Sequence, residues 1–319
     1  IVFGGSWYLT ESSKKQIISN EPISNHRKKN NTWIHLTPEN EEELELLLRN
    51  FKIHPLTIED LMNPLSRIKV EQFPHYTFIV FRGMYLNTPQ IKSKNFNFLV
   101  LNNLLITISL DHRHTISDII MDWDKNKILL GKGIEYIMHR ILDIETDQIL
   151  PIVYRIEDQA TDFESRVYHR DKSLEITSVF LMRANLQQIK KNINSHIEIL
   201  KEIETGKVSF ISVESDAFFR DVRDHSLRIL EISENVKDII SSALEVHLTI
   251  STQKSNEIMT ILTMMTAVML PMSLIAGLYG MNFKFIPFLS EPNGFFYSLG
   301  SMGIVGFVMF VYFKMKNWF

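Results

Sequence analysis

Apolar positions change their pattern twice along this chain. Up to about residue 135 they come in short β-branched and aromatic runs, Trp33–Thr37, Tyr76–Tyr85 and Phe96–Leu110, separated by Pro, Asn and Lys clusters, which is the pattern of strands. Between the first two, His54-Pro55-Leu56-Thr57-Ile58-Glu59-Asp60 predicts a short helix with Pro at its start and Thr57 as its cap. From about Gly133 the period becomes helical. Only Pro151, Gly206 and Val208–Ser212 interrupt it, so three long helices are expected, about 134–170, 174–205 and 213–280. Two uncharged runs, Ile258–Tyr279 and Phe295–Phe313, then close the chain. A helix needs about 20 apolar residues to cross a bilayer, so these runs predict a membrane hairpin.

The third long helix would run straight into the membrane, with a length on the order of 100 Å. Ile229, Ile232, Val236, Ile239, Ala243, Val246 and Ile250 are spaced alternately by three and four, a heptad seam that packs along other helices of this chain or of further copies. The expected fold is an α+β domain, then long stalk helices, then a C-terminal two-helix transmembrane hairpin. Its divisions are an α/β domain over 1–135, a helical stalk region over 136–257 (stalk helix about 213–280) and the hairpin over 258–319. The hairpin divides further into a span at 258–279, an outer loop at 280–294, a span at 295–313 and a basic tail at 314–319.

Charge sharpens this picture. The part before Ile258 holds 31 basic and 36 acidic residues, too acidic for a nucleic-acid-binding face. There are no cysteines, so disulfides, thiolate metal sites and thiol redox chemistry are excluded. No Gly-rich phosphate loop, nucleophile elbow or zinc-protease helix motif is present, and an enzyme is not expected. Ile1–Ser6 lacks the charged-then-apolar pattern of a signal peptide, and with no initiator Met the gene product is expected to begin upstream. Lys254 precedes the first run, while Lys314, Lys316 and Trp318 follow the second. Positive residues flank the cytoplasmic side. Both ends of the hairpin are therefore expected inside the cell's inner (plasma) membrane, with the N-terminal part cytoplasmic and the loop outside.

A plain anchor would be built of Leu and Val. The first run instead carries Thr260, Thr263, Thr266 and Ser273, follows Asn256, and contains Pro271 and Gly277. Gly300, Gly303 and Gly306 in the second run form a small-residue face that lets another helix approach closely. Asn256, Met259, Leu262, Thr266, Leu270, Ser273 and Gly277 share one edge of the first span. Around an axis, that edge would form a polar ring, then an apolar constriction able to close by dewetting, then hydroxyls farther out. One hairpin cannot enclose an ion path, so this reading requires a homo-oligomer.

Tyr279-Gly280-Met281-Asn282, placed directly after the first of two C-terminal spans, resembles the signature of the CorA family of divalent-cation channels. Ser255-Asn256-Glu257-Ile258-Met259, Leu262-Thr263, Pro271, Ala276-Gly277 and Phe313-Lys314-Met315-Lys316-Asn317-Trp318 match as well. Upstream, His54–Asp60, Arg67-Ile68-Lys69-Val70-Glu71 and Arg220-Asp221-Val222-Arg223-Asp224-His225 are similar to family blocks, so the resemblance covers nearly the whole chain. It implies a homopentameric funnel in the lipid bilayer, with the first span lining the pore and Mg²⁺ uptake, Co²⁺ and Ni²⁺ being further cargo. It assigns Gly280, Met281 and Asn282 to the outer selectivity element and Ser273, Leu270, Thr266, Leu262, Met259 and Asn256 to the pore wall.

The resemblance also implies a regulatory Mg²⁺ site between subunits at Asp221, with Asp224 and Glu245 along the same helix and Glu231 and Glu234 nearby; a solvated acidic face is the competing reading. The family's partner carboxylate corresponds here to Asn87, a neutral and weaker ligand. The outer loop departs too, with Lys284 early and only Glu291 acidic, so electrostatic focusing is weak. That keeps open a zinc or broad divalent transporter like the ZntB branch, and a non-conducting membrane sensor or scaffold. His112-Arg113-His114 beside Asp111 is expected to be a surface turn, and His225 and His247 to be interhelical polar contacts.

Overall fold

The computed structural model describes residues 2–3, 31–38, 41–48, 51–64, 66–109, 114–171, 173–209, 211–282, 286–288, 291–316 and 318. Asp111, His112, Arg113 and Lys284 lie outside the described residues. The chain forms two compact units, Ile1–Ser242 and Ala243–Phe319.

In the first unit β1 (Val2–Phe3), β2 (Thr32–Leu36), β3 (Lys69–Gln72), β4 (Thr77–Asn87), β5 (Gln90–Leu101) and β6 (Leu104–Ile108) form one sheet. Its order is β1-β2-β6-β5-β4-β3. β2 runs parallel to β6, and the other neighbours are antiparallel. The strand β4 is apolar at consecutive positions because both faces of the sheet are covered. Phe78 and Val80 pack with Leu44 and Leu48 of α1 (Glu41–Leu48) and Leu61 of α2 (Pro55–Met62). Ile79 and Phe81 join the larger core on the other side. That core includes Ile137, Met138 and Ile141 of α5 (Ile134–Asp147), Leu200 of α7 (Ile176–Glu204), and Phe219 and Val222 of α8 (Asp216–Tyr279). The remaining helices of this unit are α3 (His114–Met121), α4 (Trp123–Lys132) and α6 (Leu150–Tyr168).

Local departures from the sequence reading have physical causes. The run Phe96–Leu110 holds the end of β5 and all of β6, divided at Asn102-Asn103, where Asn103 adopts a φ of 59°. Asn tolerates that left-handed conformation better than most residues. The region expected as one helix over 134–170 is α5 and α6, and Pro151 sits in the first turn of α6, where a missing N–H costs nothing. The cap of α2 is His54, whose Nδ1 accepts from the Leu56 N–H at 3.2 Å. Thr57, expected in that role, is buried and shares a 2.9 Å hydrogen bond with the Tyr76 hydroxyl.

The seam of α8 is also displaced. The buried positions are Phe219, Val222, Ser226, Ile229, Ser233, Val236, Ile240 and Ala243, spaced by three and four, so Ile229, Val236 and Ala243 of the expected seam are buried. Ile232 and Ile239, expected in the seam, are half-buried at its flank. The two serines are tolerated inside because each hydroxyl donates to a backbone carbonyl one turn back, Ser226 to Val222 at 2.9 Å and Ser233 to Ile229 at 2.7 Å.

His196 of α7 is fully buried, stacked on Phe81 with ring centroids 3.7 Å apart, and accepts from the Arg82 N–H at 3.3 Å. Burial pushes its pKa down to about 3, with the Arg82 charge adding to the effect. The unfolded chain therefore takes up a proton here that the folded one refuses. Stability contributed by the neutral ring is full above an ordinary His pKa near 6.5 and falls by about 1.4 kcal/mol per pH unit as pH drops below it. In denaturant titrations of the intact protein between pH 7 and 4, His196→Gln should flatten this slope; an unchanged slope would remove His196 as its source.

Candidate functional site

The second unit contains the end of α8 and α9 (Gly294–Met315), and both helices are long and apolar enough to cross a membrane. The faces of the first span differ in how far they are covered within this unit. Along it, Thr260, Met264, Ala267, Val268, Pro271, Met272, Ile275 and Tyr279 are half-covered, while Asn256, Met259, Leu262, Thr266, Leu270, Ser273 and Gly277 are all exposed. Met259, Leu262 and Leu270 are 62%, 63% and 66% exposed, although they are as apolar as the covered set. With about 100° between successive residues, the centres of these two faces are roughly 160° apart.

At Gly306 an added Cβ would come within 2.7 Å of Met272 Cε, so α9 lies beside the covered face at this point. Gly300 and Gly303, expected on the same small-residue face, have open space around them. They do not take part in this approach.

The helix end positions the tripeptide. The Gly280 N–H bonds to the carbonyls of Ala276 at 2.9 Å and Gly277 at 3.2 Å, and the Met281 N–H reaches Leu278 at 3.4 Å. A Cβ at Gly280 would lie 3.3 Å from the Ala276 oxygen, so this closing turn favours glycine. Asn282 follows just outside the turn, exposed. Behind α9, Trp318 stacks on Phe313 with centroids 5.5 Å apart, an aromatic end suited to the membrane interface.

The first unit holds a separate cluster. Ligand-capable atoms of His139 and Asp143 on α5 and of Asp221 on α8 lie within 4.8 Å of one another, as do those of Asp143, Asp147 and His225. His225 Nδ1 and Asp147 Oδ1 are 3.0 Å apart, an interhelical polar contact. The His139 Nε2 is enclosed and has no hydrogen-bond partner among the described residues. Burial lowers the pKa of His139, only partly opposed by Asp143 and Asp221, so it stands as a neutral nitrogen donor. Two carboxylates with water suit Mg²⁺, and the added imidazole suits Co²⁺ and Ni²⁺ better.

Of the regulatory ligands expected from the sequence, only Asp221 enters this cluster, and His225, expected as an interhelical polar contact, joins its other end. Asp224 is exposed beside Arg223 at 3.6 Å. Asn87 is exposed at the end of β4, paired with Gln90. Glu245 belongs to the second unit, where its carbonyl accepts from the Thr249 hydroxyl at 2.9 Å. His139 and Asp143 were missed because nothing local marks them; the periodicity of α5, which faces them toward α8, was the available signal.

Comparison with known proteins agrees with the family read from the sequence and with a C-terminal pair of apolar helices. The family model described as "CorA-like Mg2+ transporter protein" matches residues 28–316. The cobalt/magnesium transport protein CorA of Thermotoga maritima is 30% identical over 296 residues, covering 90% of this chain and 83% of that one. In fold, the chain is similar to the CorA magnesium transporter of Methanocaldococcus jannaschii, with a TM-score of 0.78 at 22% identity, covering 90% of this chain and 91% of that one. It is also similar to the cytoplasmic domain of ZntB from Vibrio parahaemolyticus, with a TM-score of 0.59 at 16% identity over 70% of this chain and 89% of that one. A sheet-bearing first unit, one helix continuing into an apolar span and a family match over nearly the full length lead to one assignment: this chain belongs to the CorA-like Mg²⁺ transporter family, whose members are transporters and not enzymes.

Proposed function

We propose that copies of this chain, five by the family resemblance, surround an axis and pass hydrated Mg²⁺ into the cell, with Co²⁺ and Ni²⁺ as further cargo. The observation that carries this reading is the exposure of Asn256 through Gly277 on the face turned away from α9. In a ring of hairpins that face is free to line the path, with α9 outside it toward lipid.

Mg²⁺ gives up water reluctantly, so an entrance that selects it should recognise the hydrated ion. A ring of Asn282 oxygens accepts hydrogen bonds from that shell without stripping it, whereas carboxylates would bind harder and slow release. Neither span contains Asp, Glu, His, Lys or Arg, which removes the usual parts of a proton relay. Flow is then passive. An inside-negative potential supplies about 2.3 kcal/mol per charge per 100 mV, and twice that for a divalent ion.

Cytosolic Mg²⁺ closes the path by binding at Asp221, where Asp143 and His139 offer further ligands within the same chain. Asn87 would contribute a neutral oxygen from a neighbouring copy. The N-terminal unit and the C-terminus are placed in the cytoplasm of a cell with this protein in its inner membrane. A zinc-carrying relative is the second reading, favoured by the fold likeness to ZntB and by an outer loop with one acidic residue, Glu291. Uptake into liposomes of Mg²⁺ and Zn²⁺, with and without a pH gradient, separates the two. Mg²⁺ should enter without the gradient; zinc uptake that depends on protons, with no Mg²⁺ flux, would overturn the choice.

A further inference from the structure

We propose that Thr266 is a specificity-determining residue, its hydroxyl presenting only hydrogen-bond acceptors to the passing ion. This rests on the pore reading above and goes beyond it by naming how the middle of the path treats a cation's hydration shell. A hydroxyl has one proton and two lone pairs. The Thr266 proton is committed within the helix, donated to the Leu262 carbonyl at 2.9 Å. What remains on the exposed side is acceptor capacity alone.

Thr260 and Thr263 make the same backbone bonds, to Asn256 at 2.9 Å and Met259 at 2.8 Å. Thr260, however, sits on the side half-covered in the hairpin. Thr266 lies within about 20° of the centre of the exposed face, and one turn away on either side that face carries Leu262 and Leu270. Between those two apolar rings, the Thr266 oxygens give a polar foothold. Water bound to Mg²⁺ directs its protons outward, so the coated ion finds matching acceptors there. An anion, which needs donors, finds none.

Thr266→Val keeps the shape of the side chain and removes its lone pairs, while Thr266→Ser keeps the hydroxyl. In liposomes the first should lower Mg²⁺ uptake by about tenfold or more, since each subunit of the ring loses one acceptor at the point of passage, and the second should stay near wild type, with oligomer size unchanged in both. Equal uptake by Thr266→Val and wild type, or equal losses in both variants, would overturn the proposal and leave the pore reading standing. Absence of Mg²⁺ flux through the wild type would instead sink the pore reading, and this one with it. Should Thr266→Val fail to assemble, Thr266→Ala supplies a second variant without the hydroxyl, and its Mg²⁺ uptake should fall likewise while Thr266→Ser stays near wild type. Uptake by Thr266→Ala equal to wild type would overturn the idea.

Discussion

Asn282→Ala should reduce Mg²⁺ uptake to the leak of protein-free vesicles. The drop should reach about a hundredfold or more, since a ring of copies loses one acceptor from each subunit and every such hydrogen bond carries ~1 kcal/mol. The substitution falls beyond the closing turn made by Gly280 and Met281, so α8 and its packing on α9 should survive it. Oligomer size in detergent and the melting of the first unit should therefore match wild type. A membrane-anchored scaffold that never conducts predicts no change in flux, because it has none to lose. Asn282→Asp separates recognition from mere polarity: a carboxylate should hold the ion longer, so saturation should come at lower Mg²⁺ with a lower maximal rate.

The second large effect concerns control from the cytosolic side. In wild type, added Mg²⁺ should protect the intact protein from limited proteolysis. Asp143→Ala and Asp221→Ala should each raise the Mg²⁺ concentration giving half-protection by about tenfold or more, the lower end of what even an outer-shell partner of a metal is worth. Asp224→Ala should change it little, as Asp224 lies beside Arg223 outside the cluster. Unchanged protection in both cluster variants would remove this site from regulation. If His139 also ligates the ion, His139→Gln should weaken protection by Co²⁺ more than by Mg²⁺, because imidazole suits the transition metal better.

Legibility of these features from sequence followed the range of the interactions involved. The two spans were plain because about 20 consecutive residues without a charge match the length and polarity that a bilayer demands of a helix. The face carrying Asn256, Thr266 and Ser273 was equally readable, since helical spacing alone determines which side chains share an edge. Burial of Ser226 and Ser233 was not readable from hydropathy, because the compensating bonds to Val222 and Ile229 belong to the helix backbone. That error shifted the expected seam toward Ile232 and Ile239. Asp143 and Asp221 are far apart in sequence, and their meeting depends on how α5 packs against α8. β3 escaped notice for a different reason: it has four residues, two of them charged, and lies at the sheet edge where Lys69 bonds Asp60 and Glu71, both at 2.7 Å.

The central claim, that the first span of each copy turns one face to a shared aqueous path, is tested most directly by introducing single cysteines along residues 256–277 of this cysteine-free chain. Each variant, reconstituted in liposomes, is exposed to a water-soluble cationic thiol reagent with and without Mg²⁺. The account predicts reaction at 256, 259, 262, 266, 270, 273 and 277, slowed by Mg²⁺, and protection at 264, 268, 272 and 275. Reaction confined to the latter set, or no reaction anywhere along the span in protein shown to be inserted, would contradict it.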